Sequence, residues 1–326
     1  MKHGQAQERI RALDLFCGVG GSSFGAQLAG VDIACGIDAW ELACKTYLDN
    51  FPGAKVYTGK CEALDPHAIK RDIGKIQLLL ASPECTSHTC AKGSYKGSDD
   101  SRNTAFEVVR FAEVMKPRWI VIENVVHMRG WDRYKEWLSS LRRLGYKLRI
   151  QILDSAKYRV PQRRRRMFVL CDLETEPPEI RVPRIKTFRP VADIINPNGK
   201  YPFSILRTET RATGTLERAE RAIEKVGPSS SFLLVYYGTD GGGGWQRLDQ
   251  PLRTVTTIDR FAYVRPDAGG VHQMRMLQVS ELRKAMGFDR RLKLNHGTRR
   301  DQIKLLGNAV CPPVMRAIVE TLTNCD

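Results

Sequence analysis

The 326-residue sequence lacks the features of a membrane or secreted protein. No apolar run approaches the roughly 20 residues that span a bilayer, so no membrane-spanning helix is expected. Met1 to Arg11 is polar and contains no signal-peptide core. The nine cysteines are scattered and form no CxxC pair, so neither a disulfide framework nor a zinc site is indicated. We therefore expect a protein of the reducing cytoplasm that holds no metal.

Acidic residues are also scarce relative to basic ones. The chain has 36 Asp and Glu against 52 Lys and Arg, a net charge of +16. Such an excess indicates a polyanionic partner, although a generally basic protein without one has the same composition. The basic residues are clustered, which favours nucleic acid: the clusters are Arg163–Arg166, Arg142-Arg143, Arg290-Arg291 and Arg299-Arg300.

An apolar segment near the N-terminus leads into a glycine-rich turn. Ala12–Cys17 predicts a short buried strand, Gly18–Gly21 a tight turn and Ser23–Ala29 a helix. This arrangement brings backbone N–H groups to a helix N-terminus, where a nucleotide-like cofactor can approach, although a plain strand–helix turn has the same pattern. Asp38 follows the next predicted strand, Ile33–Ile37, and is placed to hold ribose hydroxyls, to cap the following helix, or both.

The segment Leu80–His88 places a cysteine just beyond a buried strand. Ile76–Ala81 is apolar apart from Gln77, Pro83 ends it, and Cys85 follows on a predicted loop. Ligands collect at the carboxyl ends of strands in open α/β sheets, so Cys85 is a candidate nucleophile. Taken alone, a buried and inert thiol is the simpler interpretation. Ala91–Arg102 predicts a mobile surface loop able to close over a ligand.

Two further strands carry charged residues next to apolar runs. Trp119–Val125 has Glu123 near its end, where burial would raise the pKa of the carboxyl and favour its hydrogen-bond-donating form; a strand-end salt bridge fits equally well. Gln162–Arg166 leads directly into another apolar strand. Because side chains alternate along a strand, Arg164 and Arg166 are expected on one face.

The composition changes at about Glu174. Prolines recur between positions 177 and 202, and the later segments are rich in loops and β-like patterns. We predict a smaller β-rich domain over 174–288, between a catalytic domain over 1–173 and its continuation over 289–326. It would contain a helix within Thr208–Val226, a glycine-rich loop at Gly238–Trp245 and a β-like segment at Leu252–Ile258. Val279–Met286 predicts a helix with Ser280 as its N-cap.

Six separated blocks resemble, in order, the motifs of the cytosine-C5 DNA methyltransferases of bacteria and phages. They are Asp14–Gly21, Pro83–Cys85, Glu123–Val125, Gln162–Arg166, Arg275 through Glu281 to Phe288, and Gly307–Val310. The resemblance spans nearly the whole chain apart from the second domain. It implies an α/β fold, with a Rossmann-like S-adenosylmethionine-dependent methyltransferase sheet and a smaller β-rich target-recognition domain. The implied activity is DNA (cytosine-5-)-methyltransferase.

The resemblance also implies the catalytic roles. Cytosine C5 is a poor nucleophile until a thiolate adds to C6, and Cys85 would be that thiolate. Glu123 would hydrogen-bond the ring and stabilise its charge, while Arg164 and Arg166 would hold the base oxygen and a neighbouring phosphate. Asn124 would brace the cysteine loop. The target base must leave the duplex to be reached.

The cofactor site follows from the same resemblance. S-adenosylmethionine, left as S-adenosylhomocysteine, would lie in the glycine-turn pocket with Asp38 on its ribose. The remaining residues expected to line that pocket are Phe16, Gly18, Val19, Gly20, Gly21, Ala105, Asn308 and Val310. Compared with the family, Glu84 and Thr86 flank Cys85 where proline and glutamine are usual, and Ala39 stands at the usual adenine-stacking position, with Trp40 next.

The expected partner is double-stranded DNA, bound by a monomer with no membrane or metal involved. Two alternatives remain open at this point: methylation of cytosine in tRNA, which one branch of the family performs, and DNA binding by a degenerate methyltransferase scaffold. The sequence gives neither the recognised DNA site nor whether a restriction enzyme accompanies the protein.

Overall fold

A computed structural model describes residues 9–83, 99–197, 201–237 and 243–324; at 99–103 it describes the backbone alone. Cys85 and its flanking residues Glu84 and Thr86 lie outside these ranges, as do 238–242 of the predicted glycine-rich loop. No helix in the described ranges is long and apolar enough to cross a membrane.

A seven-stranded sheet forms the larger part of the fold, in the order β3-β2-β1-β4-β5-β7-β6. The first five strands are parallel, whereas β7 runs antiparallel to both β5 and β6. The strands are β1 Arg11–Leu15, β2 Asp32–Asp38, β3 Lys55–Thr58, β4 Leu78–Ala81, β5 Trp119–Asn124, β6 Lys147–Asp154 and β7 Arg165–Asp172. The predicted α/β class is confirmed.

Helices cover both faces of this sheet because alternate apolar residues point to opposite sides. Leu78 and Leu80 of β4 face one core, while Leu79 and Ala81 face the other. In chain order, the helices of both parts of the described structure are α1 Gly21–Leu28, α2 Glu41–Asn50, α3 Pro66–Ile73, α4 Asp99–Met115, α5 Tyr134–Arg143, α6 Thr213–Val226, α7 Val279–Ala285, α8 Arg299–Asn308 and α9 Pro312–Thr323. α9, near the C-terminus, packs against α1.

A second sheet of five antiparallel strands has the order β10-β9-β11-β12-β8. Its strands are β8 Ser204–Ile205, β9 Phe232–Val235, β10 Trp245–Arg247, β11 Phe261–Pro266 and β12 His272–Met276. Helix α6 covers one face through a small core that includes Ala219, Phe232 and Val264. The sheet lies inside the range predicted for a β-rich domain.

Three local predictions are wrong. Helix α7 is capped at Gln278, whose backbone N–H donates to the carboxylate of Glu281 at 2.8 Å, and not at Ser280. The segment predicted as β-like at Leu252–Ile258 makes only an isolated bridge, between Leu252 and Gln162, because its backbone bonds to the arginine block. The loop predicted over 91–102 is helical from Asp99 onward, while residues 91–98 lie outside the described residues.

Candidate active site

The strand ends that carried the predicted functional residues meet at one edge of the seven-stranded sheet. The parallel register pairs Leu15 with Ala81, and Ala81 with Ile122. The residues that follow these positions therefore project beyond the same edge. This edge brings together the glycine turn, the approach to Cys85 and the end of β5, as expected for a doubly wound sheet.

Glu123, near the end of β5, forms a buried ion pair. Its carboxylate lies 3.0 Å from Nε of Arg166, and its side chain is 8% exposed. Burial raises the pKa of Glu123, while Arg166 and then Arg164 oppose that rise. Both interpretations of the sequence therefore hold: the acid is in a salt bridge, and it keeps a proton to higher pH than an ordinary glutamate.

Arg164 is buried and bonds to two backbone carbonyls. Nη1 donates to the carbonyl of Val255 at 3.0 Å, and Nη2 donates to that of Gly307 at 2.8 Å. The side chain therefore links the strand carrying Arg166 to a segment of the second part of the chain and to α8. Of the two arginines, Arg166 contacts Glu123, whereas Arg164 holds the strand to the backbone at Val255 and Gly307.

A pocket contains both arginines and Glu123, as the two-residue strand period predicts. Sequence reasoning missed two polar members of its lining, Ser155 and Cys311. Burial raises the pKa of the Cys311 thiol to about 11, so this thiol stays protonated at neutral pH. Cys311 directly follows the Gly307–Val310 block, which is the signal that would have found it. The full lining is Glu123, Leu153, Ser155, Arg164, Arg166, Phe168, Val310, Cys311 and Val314.

Asn124 connects β5 to the segment that leads toward Cys85. Its Nδ2 donates to the carbonyl of Pro83 at 3.2 Å, and its Oδ1 accepts the backbone N–H of Val125. Asn124 is 3% exposed. The amide thus fixes the last described residue before the cysteine segment, which is the kind of contact expected of a brace.

The glycine turn after β1 requires left-handed backbone at several positions. Phe16 has φ 57°, Gly18 φ 53° and Gly20 φ 84°, so β1 ends at Leu15 and not at Cys17 as predicted. Gly18 donates its N–H to Asp38 at 2.8 Å, and the other carboxylate oxygen accepts from Trp40. Asp38 therefore joins the turn to the start of α2.

The other residues predicted for a cofactor differ in their surroundings. Val310 lies against Gly21 of the glycine turn, and Asn308 is exposed at the end of α8. Val19 is fully buried in the core. Ala105 is also buried, and its carbonyl accepts the indole N–H of Trp137. Their contact with a cofactor stays a prediction.

Trp40 has an occupied ring face. Nζ of Lys304 lies 4.4 Å from the ring centroid, a cation–π contact that holds the indole toward α8. Ala39, at the usual stacking position, is exposed and has no ring to offer. Apart from Trp40, no residue was predicted from the sequence to stack on the adenine of the cofactor.

A buried hydrogen-bond chain lies beneath the glycine turn. Ser23 donates to Asp14 at 2.6 Å, and its hydroxyl also bonds to Tyr47 at 2.6 Å. The second oxygen of Asp14 is buried, and no group in the described part of the chain bonds to it. Burial is the main cause that raises the pKa of Asp14, to about 7; the Ser23 bond opposes it.

Asp14→Asn is expected to stabilise the protein increasingly as pH rises. The folded state binds the Asp14 proton more tightly than the unfolded chain, so its contribution to stability falls from about pH 4 to about pH 7 and then levels off. Asparagine carries no charge, so the gain in unfolding free energy should grow across that window, by at most about 4 kcal/mol. Chemical denaturation at several pH values measures it.

The control is Asp132→Asn, which removes an exposed carboxylate. It should keep the pH dependence of the unmodified protein. A constant difference between Asp14→Asn and the unmodified protein from pH 4 to pH 8 would contradict the expected titration of Asp14.

The strand order and the glycine turn define the class of fold, and solved structures agree. The methyltransferase Dnmt2 of S. pombe aligns over 97% of this chain and 99% of its own, with a TM-score of 0.71 and 18% identity. The chain thus has the fold of the S-adenosylmethionine-dependent methyltransferases.

Its family follows from the sequence match. Residues 10–324 match the family described as C-5 cytosine-specific DNA methylase, and the chain belongs to that family. The Type II methyltransferase M1.HphI of Haemophilus parahaemolyticus is 26% identical over 335 residues, 95% of this chain and 86% of that protein. M.AgeI of Thalassovita gelatinovora, also a Type II methyltransferase, is 32% identical over 168 residues, which cover 49% of this chain and only 39% of M.AgeI. The predicted family is confirmed.

Proposed function

We propose that the protein transfers a methyl group from S-adenosylmethionine to C5 of a cytosine flipped out of a specific DNA sequence. The observation that carries this proposal is the buried pair of Glu123 and Arg166 beside Asn124 at the sheet edge. Family membership supplies the substrate class, and the contacts below support the roles of individual residues.

Glu123 is suited to recognise a cytosine ring. A carboxyl whose pKa is raised by burial can donate a hydrogen bond to ring N3, while its other oxygen can accept from the exocyclic amine. Arg166 lies beside it and can direct its remaining N–H groups to the base oxygen or a phosphate. Arg164, bonded to Val255 and Gly307, acts as a positioning residue for this pair.

Cys85 would be the nucleophile. Its thiolate donates an electron pair to C6 and forms a C–S bond, and the C5–C6 π electrons become available at C5 as an enamine. C5 would then use those electrons to take the methyl group, as the bond from that methyl to the sulfonium sulfur breaks and S-adenosylhomocysteine leaves. When a base removes the C5 proton, the electrons of the C5–H bond form the new C5–C6 double bond, the C6–S bond breaks to release Cys85 as thiolate, and the aromatic ring is restored. Asn124 supports this role through Pro83, two positions before the cysteine.

The glycine turn is suited to hold S-adenosylmethionine, which supplies an electrophilic methyl on a sulfonium. A Cβ added to Gly18 would meet no atom within 4 Å, so open space adjoins that backbone. Gly21 lies against the backbone of Val310, which closes off that side of the glycine. Phe16 and Asp38 would complete the contacts, with the carboxylate on the ribose hydroxyls.

Gly21→Ala is expected to destabilise the protein and weaken cofactor binding. The added Cβ would lie 2.3 Å from the carbonyl oxygen of Val310 and 2.8 Å from its nitrogen, both backbone atoms. Separating these segments should lower the unfolding free energy by about 1–3 kcal/mol. Calorimetry should also find S-adenosylhomocysteine bound at least about tenfold more weakly, an effect of about 1.4 kcal/mol.

Gly53→Ala is the matched control, because a Cβ there would meet nothing within 4 Å. It should keep both the melting temperature and the cofactor affinity. Normal S-adenosylhomocysteine binding by folded Gly21→Ala would count against the proposed pocket.

The proposed activity is tested by bisulfite sequencing of DNA from a methylation-free host that expresses the chain. We expect protected cytosines in one sequence context. Purified protein would also be incubated with labelled S-adenosylmethionine and either duplex DNA or tRNA. Transfer only to tRNA would favour the alternative RNA substrate. Duplex binding without transfer to either nucleic acid would favour a binding scaffold and overturn the proposed enzyme.

A further inference from the structure

The chain between β7 and the second sheet runs along the outer edge of the seven-stranded sheet. Arg149 of β6 donates to the carbonyl of Pro177 at 2.5 Å. Two residues on, the Gln151 side chain donates to the carbonyl of Ile180 at 2.8 Å and accepts its N–H at 3.0 Å. Because residue numbers rise together, the connecting segment runs in the direction of β6. It therefore heads toward the edge where Glu123 lies.

Charge is ordered along this connecting segment. Its first part carries three exposed acids, Glu174, Glu176 and Glu179. From position 181 the charged side chains are basic, and no acid occurs until Asp193, which pairs with Arg189 at 3.1 Å. The acids thus lie toward the far end of the sheet, while the cations Arg181, Arg184 and Lys186 follow toward the active-site edge.

Phe188 fixes the end of this basic run beside the arginine block. Its ring centroid lies 4.7 Å from the guanidinium carbon of Arg163 and 5.0 Å from Nζ of Lys157. The backbone N–H of Arg163 in turn donates to Leu252 at 2.8 Å. The run is therefore attached to the strand that carries Arg166 and to the segment before β11.

Six basic residues of this segment and of the neighbouring arginine block are here named the basic strip: Lys157, Arg159, Arg163, Arg181, Arg184 and Lys186. Arg159 and Arg163 are exposed and Lys157 is half-buried. Within the described ranges, no carboxylate forms an ion pair with a strip residue. By contrast, two arginines from clusters noted in the sequence are paired, Arg291 with Asp289 and Arg299 with Asp259.

We propose that the basic strip binds the phosphate backbone of the DNA duplex flanking the target cytosine. This inference rests on the proposed function, because it takes the duplex at Glu123 as its starting point. Six cations that pair with no acid among the described residues suit a polyanion with closely spaced charges. Lys and Arg side chains on an irregular segment contact phosphates without reading base edges, so the strip adds affinity and not sequence preference.

The test compares two triple variants with equal loss of charge. Arg181→Gln, Arg184→Gln and Lys186→Gln remove part of the strip. The control changes Arg71, Lys75 and Lys116 to glutamine; these are exposed and precede β4 and β5 at the opposite end of the sheet. Duplex affinity is measured by fluorescence anisotropy over a range of salt concentrations, with methyl transfer followed at saturating duplex. Thermal melting checks that both variants fold.

The strip variant should bind the duplex about tenfold to a hundredfold more weakly at low salt. The slope of its plot of log affinity against log salt concentration should be smaller in magnitude by about 2–3. Each lost phosphate contact removes about 0.9 from that slope. Its kcat should be unchanged and its KM for the duplex raised. Equal slopes for the strip variant and the control would overturn the proposal.

Two outcomes separate this inference from the proposed function. If the unmodified protein binds the duplex but never methylates it, the function fails while the slopes still test the strip. If the slope changes only with a structured RNA and not with DNA, the strip binds a different nucleic acid and the duplex assignment is wrong.

Discussion

Replacing Cys85 by serine is expected to lower the rate of methyl transfer by at least about 10⁴-fold, with duplex binding retained. The thiolate activates C5 only by forming a bond to C6. A serine hydroxyl is rarely ionised at neutral pH and is a poorer nucleophile. The measurement is single-turnover transfer of labelled methyl to the duplex identified by bisulfite sequencing. Anisotropy on the same duplex measures binding.

A matched cysteine control is available in the pocket itself. Cys311 lines the pocket with Glu123, but its buried thiol has a pKa of about 11 and should not ionise. Cys311→Ala should therefore keep transfer within a few-fold and lose only packing free energy, about 1 kcal/mol. Loss of transfer in Cys311→Ala and retention in Cys85→Ser would reverse the assignment of the nucleophile.

A covalent bond to Cys85 can also be detected directly. A duplex with 5-fluorocytosine at the target should trap the protein, because fluorine replaces the C5 proton that must leave before the thiolate is expelled. Mass spectrometry of the peptide containing Cys85 should then find the base attached. Trapping of Cys85→Ser to the same extent would contradict the proposed adduct.

Replacing Glu123 by glutamine is expected to reduce kcat by about 10²–10³-fold. The amide keeps the size of the side chain but cannot give a proton to the ring. Burial raises the pKa of Glu123. Wild-type activity should therefore fall as the pH rises through this raised pKa, because the protonated carboxyl that donates the hydrogen bond is lost. The variant should lack this falling limb. Rate–pH profiles at saturating duplex and cofactor test both points.

The control for Glu123→Gln is Glu136→Gln on the exposed face of α5. Glu136 also pairs with an arginine, Arg133, at 2.7 Å, but it lies away from the pocket lining. It should keep the wild-type rate and pH profile. If Glu123→Gln retained a wild-type rate and falling limb, another group would have to supply the proton.

Much of the fold follows from local patterns along the chain. Apolar runs of four to eight residues became the buried strands β4, β5 and β7. Boundaries moved where backbone geometry intervened. Phe16 ends β1 early because its φ is 57°, and Gln278 replaces Ser280 as the cap of α7 because the Glu281 side chain reaches back to its backbone N–H. A side-chain cap depends on three-dimensional reach, which a list of residue types does not contain.

The sequence by itself determined the α/β class, the family and the residue types that the chemistry requires, because these depend on periodicity and on motifs contiguous in the chain. Only the tertiary structure decided how those residues are used. It paired Arg166 with Glu123 and gave Arg164 to the carbonyls of Val255 and Gly307, although the two arginines are separated by one residue. It also added Cys311 to the pocket, about 190 residues from Glu123 in the chain. Such contacts depend on long-range packing, since the partners of a side chain are set by which elements meet.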